Sequence, residues 1–159
     1  MPFPPMSDIL KWDYMELFRT LRTTALLMTA RLSELLAEHH LTVGEWNALD
    51  QIYHADVPLH MGEIARRMLM DTTTMTRVVD ALEQRGAALR VSDPEDRRAR
   101  PVQITDAGRK LFQKTHRLRQ QVEREATDHL ARKERLELER LLSRLASNTQ
   151  PTEGENDGT

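Results

Sequence analysis

Cysteine is absent from the 159-residue chain, which excludes disulfide scaffolds, thiolate metal sites, cysteine nucleophiles and thiol redox sensing together. Aromatic residues are scarce, at 4%. Leu, Ala, Met and Arg dominate instead, a composition that favours helices over sheets. An excess of one charge is missing too, since 23 basic residues meet 25 acidic ones for a formal net charge of −2. No global basic field advertises a nucleic-acid partner, so any such partner has to be argued from local charge. No apolar run approaches the roughly 18 residues of a membrane span. The start, Met1-Pro-Phe-Pro-Pro, lacks the basic head and apolar run of a signal peptide. These absences predict a soluble cytoplasmic protein with no membrane partner, and the length fits one domain carrying a helical extension.

Residues 1–7 hold three prolines and read as a flexible arm. Ser7 is a fair N-cap, with Asp8 complementing the dipole of a long helix over 8–40. Its apolar stripe (Tyr14, Leu17, Leu21, Ala25, Met28, Leu32, Leu35) is close to a heptad seam. It fits either a partner helix or packing within its own domain. Thr42 and Glu45 form a capping box for a helix over 43–54 that buries Val43, Trp46, Leu49, Ile52 and Tyr53. A shorter helix over 60–70 turns in Met61, Ile64, Ala65 and Met68. Asp71 caps a fourth helix over 72–85, with inner face Met75, Val78, Val79 and Leu82 and a stop at Gly86. Short strands at 88–92 and 100–104 flank a charged tip at 93–99, a hairpin with Pro101 at a strand start or outward edge. Helices follow over 106–130, through Leu111, Leu118 and Val122, and over 132–146, through Leu138, Leu141, Leu142 and Leu145. Residues 148–159 have nothing to bury and read as a disordered tail.

Catalytic patterns are lacking: no phosphate-binding glycine loop, no nucleophile elbow, no His-Glu-x-x-His. The expectation is a non-enzyme without cofactor or metal. His39-His40 at the end of the long helix reads as dipole capping rather than a metal ligand pair. The constellation with chemical content is 41–105, a winged helix-turn-helix lobe. With its inner face turned to the core, the helix over 72–85 leaves Thr72, Thr73, Thr76 and Arg77 outward at its N-terminal half. That is the half that meets base edges when such a helix enters a major groove. Threonine hydroxyls suit phosphates or bases and threonine methyls suit thymine; Arg77 suits phosphate or guanine. A threonine run near a helix start is also ordinary capping chemistry. Between Arg90 and Arg100 four arginines (90, 97, 98, 100) face Asp93, Glu95 and Asp96. An arginine held forward by a neighbouring carboxylate suits a narrow, electronegative minor groove.

The run Asp93-Pro-Glu-Asp-Arg-Arg-Ala-Arg-Pro-Val-Gln-Ile-Thr-Asp-Ala-Gly108 resembles the wing of the MarR family, D-x-R-x₅-L-T-x-x-G. Thr76-Arg77 through Gly86 resembles that family's recognition helix, and Leu41-Thr42…Trp46…Leu49 its second-helix entry. The resemblance covers roughly residues 10–146. It departs in Ile104 for Leu, in Ala87-Ala88 for larger residues, and in the missing cysteine of the peroxide-sensing branch.

The resemblance implies a mostly α fold, a winged helix-turn-helix with long N- and C-terminal dimerisation helices (8–40 and 106–147) forming a two-fold dimer. It implies that Asp96 and Arg98 hold the wing together, with Arg98 or Arg97 entering the minor groove. The expected partner is a pseudo-palindromic double-stranded operator. The expected role is a transcriptional regulator, a repressor released by a small aromatic or phenolic anion. Arg22, Met28, Trp46 and Asp50 are candidate pocket residues, though a core or surface place suits each of them better. A winged-helix protein-interaction module that binds no DNA is the alternative.

Overall fold

The computed structural model describes residues 14–96 and 98–149. The expected arm at 1–7, the Ser7 cap, Arg97 and residues 150–159 lie outside the described residues. The described elements are α1 (Tyr14–Ala37), α2 (Val43–Tyr53), α3 (Met61–Arg67), α4 (Thr72–Gln84), β1 (Ala88–Arg90), β2 (Val102–Ile104), α5 (Asp106–Thr127) and α6 (Arg132–Thr149). The fold is mostly helical, as the composition predicts. Two compact units divide within α5, after Val122. Among the described residues no helix is long and apolar enough to cross a membrane.

In the first unit, local chemistry sets the helix starts. The Thr42 hydroxyl accepts from the Glu45 N–H at 3.1 Å, and the Glu45 carboxylate accepts from the Thr42 N–H at 3.0 Å. This reciprocal capping box matches the sequence reading. Asp71 caps α4 by accepting from the Thr74 N–H at 2.8 Å.

The helix ends were less legible. Three helices close with the same pair of bonds: Leu41 N–H to Leu36 O with His40 N–H to Ala37 O, Met70 N–H to Ala65 O with Leu69 N–H to Arg66 O, and Ala87 N–H to Leu82 O with Gly86 N–H to Glu83 O. Each is a Schellman stop, whose pivot residue must take a positive φ. Gly86 does so at 67°, but His40 and Leu69 do so at 56° and 52°. This moves the end of α1 from residue 40 to Ala37 and that of α3 from 70 to Arg67. His40 is therefore the turn itself rather than a cation on the last turn.

The core gathers Leu36, Trp46, Leu49, Ile64, Met75, Val79, Leu82 and Val102, each at most 1% exposed. Full burial of such a side chain is worth about 1.5–3 kcal/mol. The expected faces of α2, α3 and α4 all turn inward, with Val43, Tyr53, Met61, Met68 and Val78 partly buried at the margin. Along α1 only the C-terminal half joins this core, through Met28, Leu32, Leu35 and Leu36. Leu17, Phe18, Leu26 and Leu27 are 53–70% exposed.

The sheet is a two-stranded antiparallel hairpin, Ala88 opposite Ile104 and Arg90 opposite Val102. Leu59 adds a bridge through reciprocal bonds with Val102, at 2.9 and 2.7 Å. Pro101, just before β2, accepts from the Val91 N–H. The Thr105 hydroxyl donates to Gly86 O at 2.6 Å and accepts from the Gly108 N–H at 3.0 Å. A Cβ at Gly108 would lie 1.9 Å from Ala87 O. The wing base and the start of α5 therefore touch backbone to backbone, which gives the T-x-x-G part of the motif its physical reason.

In the second unit, α6 reaches Thr149, two residues into the stretch expected to be disordered. Leu136, Leu138, Leu141, Leu142 and Leu145 are 39–57% exposed along it, and none of its residues is buried.

Two glycine exchanges should act in opposite directions in urea unfolding. Gly108→Ala is expected to lower stability by at least about 2 kcal/mol, since the new methyl overlaps a carbonyl that cannot retreat. Leu69→Gly relieves a left-handed residue that is 83% exposed, so it should raise stability by about 0.5–1 kcal/mol. An unchanged midpoint for Gly108→Ala, or a fall for Leu69→Gly, contradicts these accounts.

Candidate nucleic-acid interface and aromatic cleft

The inner face of α4 is fixed by Met75, Val79 and Leu82, so its N-terminal half presents Thr72, Thr73 and Arg77 exposed and Thr76 partly exposed. These four expected residues share one helix face. Among the described residues the Arg77 guanidinium makes no recorded ion pair. The Asp71 carboxylate accepts from the Thr74 hydroxyl at 2.6 Å as well as from its N–H. Those bonds, the hydroxyl first, hold its carboxyl below the usual carboxylate range.

The wing is organised by carboxylates more than by ladder bonds. Asp93 accepts from the Glu95 and Asp96 N–H groups at 2.8 and 3.3 Å and lies 3.4 Å from His60 at the start of α3. Asp96 accepts from the Arg98 backbone N–H at 2.8 Å. The contact between Asp96 and Arg98 thus runs through the main chain, and the Arg98 side chain is exposed. Arg100 donates to the Ser92 hydroxyl at 2.8 Å across the hairpin.

Arg90, grouped by sequence with the wing cations, does something else. Its guanidinium pairs with Asp80 at 2.8 Å and with Glu83, and its backbone N–H donates to Glu83 at 2.8 Å. Its charge is neutralised by α4, and its role is to fasten β1 to that helix.

Away from this face, α2 and α5 enclose a cleft of about 350 Å³, within the size range of ligand pockets. Of the four candidate pocket residues, Trp46 and Asp50 line this cleft; Arg22 is exposed on α1 and Met28 packs on the core, and neither lines it. Sequence reasoning missed Tyr53 as a lining residue, and His54, Phe112, His116 and Arg119 altogether. Two i,i+4 runs carried the signal: Trp46-Asp50-His54 and Phe112-His116-Gln120.

Phe112 is the hub, with ring centroids 4.3 Å from Tyr53, 5.8 Å from Trp46 and 6.0 Å from His116. Guanidiniums lie over two of the rings, Arg119 over Trp46 and Arg109 over Tyr53. The Trp46 indole N–H donates to the buried Thr115 hydroxyl at 3.0 Å, which in turn donates to Leu111 O at 2.8 Å. Chemically the cleft offers aromatic faces together with one guanidinium, Arg119, and one carboxylate, Asp50. Among the described residues no three His, Cys, Asp or Glu side chains gather where they could hold a metal ion.

Two short helices with an open second helix, followed by a carboxylate-stitched hairpin, define a winged helix-turn-helix. Comparison with known proteins agrees. The MarR family profile matches residues 41–99. The HTH-type transcriptional regulator MhqR of Bacillus subtilis is 38% identical over 45% of this chain and 48% of its own length. The uncharacterized HTH-type regulator YdgJ of the same species is 28% identical over 63% and 60%. The chain thus spans about half to three-fifths of these curated relatives. A cysteine-to-serine mutant of MarR from E. coli, solved with operator DNA, superposes with a TM-score of 0.74 at 25% identity, over 82% of this chain and 93% of that one. Over residues 41–99 this chain is thus similar to the MarR family.

Thr115→Val should orphan the Trp46 indole N–H in the cleft floor and cost about 1–3 kcal/mol. Thr115→Ser, which keeps the hydroxyl, should cost clearly less. Equal losses for the two, measured by urea unfolding, would show that packing rather than the hydrogen bond matters there.

Proposed function

We propose that the protein is a dimeric, sequence-specific double-stranded-DNA-binding transcriptional regulator, not an enzyme, acting in the cytoplasm as a repressor. The observation that carries this reading is the face of α4, where Thr72, Thr73, Thr76 and Arg77 stand clear of a fully packed inner side. In each subunit that face enters a major groove, and the wing tip, with Arg98 and Arg97, lies in the flanking minor groove. A second copy of the chain covers the exposed apolar residues of α1 and those of α6. Two-fold symmetry then sets a pseudo-palindromic operator with half-sites about one helical turn apart. A small aromatic or phenolic anion fits the cleft, its ring on Phe112 and Trp46 and its charge near Arg119. A ligand preferring a dimer with differently spaced lobes releases DNA by population shift.

Titration of a selected duplex, followed by fluorescence anisotropy at several salt concentrations, tests this reading. Affinity should fall with salt with a slope of about −0.9 per phosphate contact. Arg77→Ala should relax base preference by about 1–3 kcal/mol if the guanidinium reads a base. Arg98→Ala should relax preference for A·T-rich flanks and leave the half-site core preference intact.

Asp96 separates structure from charge. Asp96→Ala removes the acceptor of the Arg98 N–H and should weaken binding, although loss of a negative charge alone would strengthen it. Asp96→Asn, which keeps an acceptor, should bind at least as well as the parent. Tighter binding by Asp96→Ala contradicts the wing reading. A flat salt response together with a monomeric mass by light scattering contradicts the whole proposal and favours a protein-interaction module.

A further inference from the structure

Threonine brings two different γ groups to a surface, and its hydroxyl carries a single hydrogen to donate. In the first two turns of α4 two of those hydroxyls are already engaged inside the protein. The Thr74 hydroxyl donates to Asp71 at 2.6 Å. The Thr76 hydroxyl donates to the Thr72 carbonyl at 2.8 Å, one turn back along the helix. Thr76 therefore has no donor left for the acceptor atoms of a base edge. Turning Oγ1 back onto the backbone also selects one χ1 well. The γ-methyl is then the part of the side chain directed away from that carbonyl, on the face shared with Thr72, Thr73 and Arg77.

We infer that Thr76, its hydroxyl held by the Thr72 carbonyl, is a specificity residue that reads the 5-methyl group of a thymine in each half-site by apolar contact. The inference rests on the DNA-binding reading above and deepens it. In the major groove the thymine methyl is the one apolar mark among the base edges, and a threonine methyl is an established type of partner for it. The polar reading of the same helix falls to Arg77, one residue on, whose exposed guanidinium has donors and no recorded ion pair among the described residues. The two neighbours thus read different chemistry: Thr76 a methyl, Arg77 an acceptor edge.

The test uses the full-length protein and a duplex enriched by it from a random-sequence pool, with each thymine replaced in turn by deoxyuridine. Deoxyuridine keeps the pairing and every hydrogen-bonding atom and lacks only the methyl. At one thymine in each half-site affinity should fall about three- to five-fold, the worth of one buried methyl. The Thr76→Ser variant keeps the hydroxyl without the methyl. It should lose the same factor on the thymine duplex and be indifferent to deoxyuridine at that position. The Thr76→Val variant keeps a methyl without the hydroxyl and should retain both affinity and discrimination. Circular dichroism melts of both variants confirm that α4 stays folded.

If no thymine responds to loss of its methyl, the methyl contact does not exist; if Thr76→Val loses binding as Thr76→Ser does, the hydroxyl is the reader; either result overturns the inference. A pool that yields no enriched duplex overturns the DNA-binding reading itself, and this inference with it.

Discussion

The attachment of Arg90 to Asp80 and Glu83 is the constraint on which the winged helix-turn-helix lobe depends. Isolated pairs of this exposure contribute little to stability. Their importance here is geometric, because a planar guanidinium gripped by two carboxylates one turn apart permits one orientation of β1 against α4. Glu83 also accepts the Arg90 N–H, so the grip includes the strand's main chain. On the other side of the wing base, Thr105 and Gly108 lock the hairpin's exit to Gly86 and Ala87. Arg85, 3.5 Å from Glu45, ties the end of α4 to the start of α2. Helix and wing therefore form one rigid body, as two elements must if they are to meet neighbouring grooves in a single docking event.

Stability and recognition draw on different chemistry in this lobe. The core of Leu36, Trp46, Leu49, Ile64, Met75 and Val79 is apolar and close-packed, and the long-range side-chain bond from Trp46 to Thr115 is fully buried. Among the described residues, Arg77 and the side chain of Arg98 stand exposed on α4 and the wing without an ion pair. Besides Leu69 and Leu89 in the lobe itself, exposed leucines gather at Leu17, Leu26 and Leu27 of α1 and along α6. Apolar patches of that kind are what the proposed dimer would cover.

Much of the lobe was legible because its signals are local. The capping box at Thr42 and Glu45, the Asp71 cap, and the period-3.6 faces of α2 and α4 depend only on residues a few places apart. Features that depend on the third dimension were not. His40 and Leu69 occupy left-handed pivots where glycine is the usual signal, so two helix ends were set too late. Arg90 counted as a wing cation because its acids lie seven and ten residues back, on another element. Phe112 and His116 could not be joined to Trp46 and Asp50 until α2 and α5 were seen together; Arg22, also a candidate, sits in the open. For the wing, the motif pointed to Asp96 and Arg98, while the bond between them proved to be a carboxylate on a backbone N–H.

The central claim, that α4 occupies a major groove while the wing occupies the minor groove beside it, is tested most directly by methylation protection with dimethyl sulfate on a bound, selected duplex. The reagent reports guanine N7 in the major groove and adenine N3 in the minor groove. The account predicts N7 protection within two half-sites and N3 protection immediately outside each, symmetric about a dyad. Protection of N3 without N7, or a single protected patch with no symmetry, would contradict it.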